Sequence, residues 1–469
     1  MPKSRVDLLF KNAVVITMNK KRDVLWDGAV AIRGKNIVDV GSTRTLTRKY
    51  EGRREVDAHQ KLLLPGLINT HNHMFGALCR GLVNDLSFTP WVQKKFYLTT
   101  KGLDEKSFYL STLLLGIEML KTGTTCYVDC GTVQRLEAGA VRAIEELGTK
   151  AILGRTMADV TEALSSHLYR RSQSTRDNLR DTERFVGDYH GAADGRVQAW
   201  FCPIQVSCIS DDLCRGSIRL AEKYDSGFVT HAAVDKADVE LCWERFHYTP
   251  IERFHRLGVL SPRLIATHMG WLTENEVKLL VKSRSNISHC PSASMKGAYG
   301  CLSHGKFPEL EAAGANVALG SDGPAASNFQ DMFRVMYLAA VGHKEARLDP
   351  CIIPPEKVLE WATLNGARSV GWEDRIGSLE KGKRADIAIL NLRRTEFVPL
   401  HPETLIPNLI YAAAGHCVET VLVDGKVLVE EGRVTTVDEE EVIDRINRYA
   451  DRFVRLSREW DRKKAAGKH

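Results

Sequence analysis

The chain has 469 residues, 43% hydrophobic and 26% charged, which is enough apolar material to bury a large core and excludes a disordered or fibrous protein. Its formal charge of +6, from 65 basic and 59 acidic residues, is small for this length and not gathered in one tract. The basic runs at 376–384 and 462–468 therefore read as solvated surface and tail, and no nucleic-acid partner is expected. Eleven scattered cysteines, odd in number and without a CxxC pair, suit reduced, mostly buried thiols rather than a disulfide framework or a cysteine zinc site. The opening MPKSRVDLLFKNAVVITMNKKRDVLW lacks the features of a signal peptide, and no run of about 18 apolar residues occurs, so no membrane partner and a cytoplasmic location are expected.

In chain order, residues 1–64 alternate short β-rich segments (VDLLFKNAVVITM, GAVAIRG, NIVDVGS) with turn residues, the pattern of a small antiparallel structure. From residue 65 the pattern changes to apolar β-like runs alternating with helical periodicity. LLLPGLINTHNH, TTCYVDC, AILGRTM, VQAWFCPI, GFVTHAAV, LIATHMG, NISHCP and ANVALGSDG make eight strands within 65–375. Eight βα units predict an α/β protein built on a (β/α)8 TIM barrel, with its chemistry at the C-terminal ends of the strands. A second β-rich stretch at 376–437 is expected to join residues 1–64 in one small β-sandwich domain. Residues 438–469 read as an amphipathic helix fading into a basic tail.

Several of these strands end in polar residues where a buried strand would continue with Val, Ile or Leu. His71 and His73 lie two apart and so share one strand face. His231 ends the fifth strand, His268 the sixth, and Asp322 follows the eighth in GSDG. Imidazole nitrogens with a carboxylate oxygen, all on one barrel rim, suit Zn2+ or Fe2+ with a position left for water.

That order of ligands, with PGLINTHNH, Arg80-Gly81, GTTCYVDC, HCPSAS and GSDGPAASNFQDMF, resembles the amidohydrolase superfamily, in its branch of nucleobase deaminases and triazine hydrolases. DYHGAADGRVQAW and EKVLEWATLNGARSVGWEDRIGSLEKGKRADIAILNL are similar to the arm that includes atrazine chlorohydrolase, melamine deaminase and the phenylurea hydrolases. Two-metal members of this superfamily bridge their ions with a carboxylated lysine after the fourth strand, and RVQAWFCPIQVSCIS contains no lysine. The resemblance thus implies a single divalent ion held by His71, His73, His231 and Asp322. It implies further that Asp322 moves the proton of the attacking water, that His268 contacts water or substrate, and that the enzyme is a homo-oligomer, a dimer.

One departure shifts the expected substrate. The ring deaminases and triazine hydrolases carry a glutamate three residues after the fifth-strand histidine and use it to protonate a ring nitrogen, whereas this chain has Val234 there. Asp235, one position on, is expected on the opposite face. Amides, ureas and carbamates carry a carbonyl carbon that needs no such protonation, so hydrolysis of a C–N bond in an amide- or urea-like small molecule is the expected reaction. Deamination or dechlorination of an N-heterocycle is the alternative. Trp91, Met295, Tyr299 and the strand-end His289 are the candidate substrate contacts. A scaffold that has lost its chemistry would not be expected to keep all of these ligands, and the H-x-E and PCxxC elements of the nucleic-acid deaminases are missing.

Overall fold

A computed structural model describes residues 2–160 and 174–467. The N-terminal β-rich stretch supplies strands β1 (Ser4–Ile16), β2 (Val24–Arg33), β3 (Asn36–Ser42), β4 (Tyr50–Asp57) and β5 (Lys61–Pro65). The barrel follows as β6 (Leu67–Asn72), β7 (Thr124–Thr132), β8 (Lys150–Met157), β9 (Val197–Pro203), β10 (Phe228–Ala232), β11 (Leu264–His268), β12 (Asn286–His289) and β13 (Asn316–Leu319). After it come β14 (Ile387–Asn391), β15 (Val418–Val423), β16 (Lys426–Glu430) and β17 (Arg433–Val434).

Strands β6 to β13 pair in sequence order as one parallel sheet with helices between them, the expected (β/α)8 arrangement. Parallel strands covered on both sides should be buried along their whole length, and all nine residues of β7 and all eight of β8 are. Ile68, Val128, Ile152, Trp200, Val229 and Ile265 form a separate interior cluster, which Trp372 and Ile376 complete from the segment after the barrel. The seam between β13 and β6 is closed by Thr70 Oγ1 donating to the Leu319 carbonyl (2.9 Å) and the Asp322 amide donating to the His71 carbonyl (3.0 Å). Barrel closure therefore involves His71 and Asp322, two of the rim residues singled out from the sequence.

The two β-rich flanks form one nine-stranded mixed sheet, joined where β14 runs antiparallel to β5. Its interior draws on both flanks, with Phe10, Val15, Ile32 and Leu63 packed against Ile387, Ile389 and Leu422. The apolar run LLLPGLI, read as the opening of one barrel strand, divides at Gly66 between sheet and barrel. A side chain there would put its Cβ 2.2 Å from Thr125 Oγ1, so only glycine lets the chain pass.

Where sheet meets barrel, Lys150 at the start of β8 is fully buried and bonds both Asp386 oxygens (2.7 and 2.8 Å) and Asp424 Oδ1 (2.7 Å). Asp386 also accepts the Asp424 backbone N–H (2.9 Å), which closes the network.

The single C-terminal helix expected from sequence is two helices, Glu439–Asn447 and Ala450–Ala465. The break at Arg448-Tyr449 turns the second helix onto Phe88–Gly102, where Phe453 and Trp460 are buried. Gly102 makes room for the ring of Phe453, since a Cβ there would lie 2.6 Å from it. Burial of Phe453 alone stabilises this docking by about 1.5–3 kcal/mol. Among the described residues no helix is long and apolar enough to cross a membrane.

Candidate active site

The rim residues singled out from sequence converge. His71 and His73 come from the end of β6, His231 from β10, His268 from the last position of β11, and Asp322 from the loop after β13. Nε2 of His71 and of His73 lie 3.6 and 3.5 Å from Asp322 Oδ1, and His268 Nε2 lies 4.0 Å from Oδ2. The His231 and His73 Nε2 atoms are 3.3 Å apart. His231 donates from Nδ1 to the Ile204 carbonyl, which leaves its Nε2 as the free lone pair facing the cluster.

Both ring nitrogens of His71, and Nδ1 of His73 and of His268, are buried without a hydrogen-bond partner. Buried polar atoms seldom go unsatisfied. One donor atom each from His71, His268 and Asp322 lies within 4.8 Å of the other two, close enough to share a cation. The donor set and its orphaned nitrogens thus fit a divalent cation. Cys130 Sγ also approaches His231 Nδ1 (3.8 Å), but burial pushes its thiol well up, so it is protonated.

Burial holds the imidazoles of His73 and His231 well below their usual range and brings His268 down to about 3, so all three are neutral at pH 7. Burial pushes the Asp322 carboxyl the other way, but the imidazoles around it, His71 foremost, outweigh that and hold it well below the usual carboxylate range. His73, His231 and His268 therefore offer neutral nitrogens and Asp322 a negative oxygen.

The motif Gly320-Ser321-Asp322-Gly323 is shaped by this closeness. A Cβ at Gly320 would lie 2.6 Å from the His71 Cβ, and one at Gly323 2.7 Å from the His73 Cβ, so the loop can reach the β6 histidines only with glycine on both sides of Ser-Asp. His268 (φ 78°) and Asp322 (φ 60°) both take left-handed backbone, uncommon outside glycine and typical of residues aimed by their surroundings. Gln330 Nε2 and Ser321 Oγ donate to the Asp322 carbonyl at 3.0 and 2.9 Å, and Asn69 bridges to Ser321 from β6.

The cluster forms the floor of a cleft of about 590 Å³. Trp91 and Tyr299 line it as expected, with Phe88 between them: its ring centroid is 6.2 Å from that of Trp91 and 5.5 Å from that of Tyr299. Two other candidates do not reach it. His289 is fully buried in the core, its Nε2 3.1 Å from His343 Nε2 and its ring 3.8 Å from that of Phe307, because the helix Met332–Arg347 covers that strand end. Met295 lies on the helix Pro291–Gly297, is 48% exposed, and is absent from the cleft wall.

Val234 does face the cleft, where the ring-acting relatives' acid was expected, while Asp235 turns away to cap the helix Lys236–Phe246 through the Asp238 N–H (2.9 Å). Asp238 is itself buried, raised to about 6 by desolvation, and accepts from the Val234 amide (3.2 Å) and from Gln205 Nε2 (2.7 Å), so that it steadies Gln205 on the cleft wall. Sequence reasoning missed Phe88, Gln205 and Lys95, all of which line the cleft. The signal for Lys95 was its place four residues after Trp91, hence on the same helix face.

The amidohydrolase family model matches residues 62–428. A 5-methylthioadenosine/S-adenosylhomocysteine deaminase of Desulforudis audaxviator is 33% identical over 448 residues, covering 95% of this chain and 99% of that protein. A 5'-deoxyadenosine deaminase of Methanosarcina acetivorans is 31% identical over 449 residues, covering 96% and 98%. Among solved structures, a zinc-bound adenosine deaminase from Xanthomonas campestris superposes with a TM-score of 0.89 at 29% identity over 96% of this chain and 99% of its own. The zinc complex of atrazine chlorohydrolase TrzN from Arthrobacter aurescens shares the fold with a TM-score of 0.83 at 22% identity, covering 94% and 100%. The matched span takes in the whole barrel and every residue of the rim cluster, and on this evidence the chain is a hydrolase of the amidohydrolase family.

Proposed function

We propose that this enzyme hydrolyses the bond between a ring carbon and its amino group in a small N-heterocycle, using one divalent ion, zinc, held by His71, His73, His231 and Asp322. The observation that carries the reading is the cluster of four imidazoles and one carboxylate beside a cleft lined by Phe88, Trp91 and Tyr299, an aromatic surface on which a flat ring can stack. The deaminase names of the relatives support it as well.

When bound, the ion supplies Lewis acidity and brings the pKa of water from about 15.7 toward 7. Asp322, ionised in its ring of imidazoles, takes the proton of the attacking water and returns it to the departing amine. Neutral His268 orients the reacting atoms with Nε2, its ring 6.1 Å from that of Tyr299.

Val234 favours a second reading, hydrolysis of an amide, urea or carbamate, because an apolar side chain cannot protonate a ring. A panel decides between them: zinc-loaded enzyme is offered adenosine, 5'-deoxyadenosine, melamine and atrazine beside a phenylurea, an anilide and a thiocarbamate. Turnover of the heterocycles is expected; turnover of the carbonyl compounds alone would replace the first reading with the second.

Val234→Glu sharpens the comparison. Because residue 234 is 1% exposed and its amide already bonds the buried Asp238, a new carboxylate there is unpaired, and a loss of stability of about 1–3 kcal/mol with no gain in turnover is expected. Urea unfolding and steady-state rates report both, and a tenfold rise in heterocycle turnover would mean that the position awaits an acid.

A further inference from the structure

The helix Phe88–Gly102 carries two adjacent lysines with opposite circumstances. Lys94 is paired to both oxygens of Asp461 (2.9 and 3.0 Å). Lys95 is 7% exposed, and among the described residues it has neither a carboxylate within ion-pair distance nor a hydrogen-bond acceptor. Its ammonium sits instead among rings, 4.2 Å from the Trp91 centroid, 5.1 Å from Phe96 and 5.7 Å from Phe75. Rings offset part of the cost of burying a cation, and an anion would offset more of it.

The cage opens on the cleft, and it lies close to the metal-ligating cluster. The Phe75 ring is 5.3 Å from that of His73, so the Lys95 ammonium is no more than about 11 Å from the His73 ring. The one acidic side chain among the cleft-lining residues is Asp322, which the histidines already engage. Arg135, also on the cleft wall, has no ion pair among the described residues either. The cleft therefore has cationic groups to spare and no acid to meet them.

We infer that Lys95 is an anchor for a negatively charged group on the substrate, so that the enzyme acts on flat, ring-bearing molecules carrying a carboxylate or a like anion on the side of the cleft where Lys95 stands. The inference rests on the reading of this cleft as the substrate site. Burial brings Lys95 down to about 8, close enough to neutrality that an arriving anion would fix its proton in place.

The test is binding without turnover, which keeps it separate from the substrate panel. Benzoate and its neutral counterpart benzamide are titrated by calorimetry into zinc-loaded wild type, Lys95→Met and Lys95→Arg, each checked for zinc content and circular dichroism. Benzoate is expected to bind wild type at least tenfold more tightly than benzamide, with the preference lost in Lys95→Met and kept in Lys95→Arg. Benzoate binding Lys95→Met as tightly as wild type would seat the carboxylate elsewhere and overturn the inference, as would equal affinity of wild type for the two probes or no benzoate binding at millimolar concentration. Should Lys95→Met fail to fold, Lys95→Gln carries the same expectation. A benzoate preference together with turnover of the carbonyl compounds alone would leave the anchor standing and replace the proposed reaction.

Discussion

Alanine at position 71 is expected to yield a folded protein with less than a tenth of the wild-type zinc and turnover lower by about 10³-fold, the equivalent of about 4 kcal/mol of transition-state stabilisation. His71 is the hub of the cluster: neither of its nitrogens has a hydrogen-bond partner within 3.5 Å among the described residues, its ring centroid is 4.9 Å from those of His73 and His231, and its Nε2 stands 3.6 Å from Asp322 Oδ1. Asp322→Asn should lose turnover as severely while disturbing the fold little, because an amide oxygen can still accept the Gly323 N–H (2.6 Å in the wild type) but cannot take a proton from water. Metal analysis by mass spectrometry together with steady-state rates reads both variants. Zinc content and rate within twofold of wild type for either variant would remove that residue from the chemistry.

Lys150→Met should be the most damaging substitution outside the active site. It leaves Asp386 and Asp424 buried together with only Arg384, 3.9 Å from Asp424, as a counter-charge, and removal of one partner from a buried ion network costs about 3–5 kcal/mol. The loss should depend on pH. Burial already raises the Asp386 carboxyl and loss of the lysine removes what holds it down, so between the unfolded and folded values the folded variant keeps a proton that the unfolded chain has released. Stability of the variant then falls as pH rises through that window, and the deficit is smaller at pH 5 than at pH 8. Urea unfolding at the two pH values measures this, and Lys150→Met with Asp386→Asn should recover part of the loss. A deficit below 1 kcal/mol at pH 8 would show the network to be dispensable.

The legible and illegible parts of this protein divide by the range of the interactions involved. The eight barrel strands could be read because each is a short apolar run closed by turn residues, and the rim cluster because His71, His73, His231, His268 and Asp322 stand where a plain core strand would stay apolar. What the residues do with distant partners could not be read. His289 has the same local setting as His268, yet its neighbour is His343, 54 residues on, and the helix bearing that residue shuts it away from the cleft. The apolar run at 62–68 gave no sign of being shared between two sheets, because the division depends on Thr125 pressing against Gly66. Lys94 and Lys95 are neighbours of one residue type, and only the tertiary fold gives them different partners.

The pairing of β5 with β14 also has a consequence during synthesis. Strand β5 leaves the ribosome within the first 65 residues, but its antiparallel neighbour at Ile387–Asn391 is made more than 300 residues later, which at cellular elongation rates is roughly 15 to 65 seconds. For that interval the nascent chain presents an apolar strand edge with nothing beside it, a template for mispairing with other chains. Newly made protein should therefore depend on chaperone shielding far more than the finished enzyme does, and a circular permutant that opens the chain within the barrel and links the β17 side of the sheet back to β1 would shorten the wait.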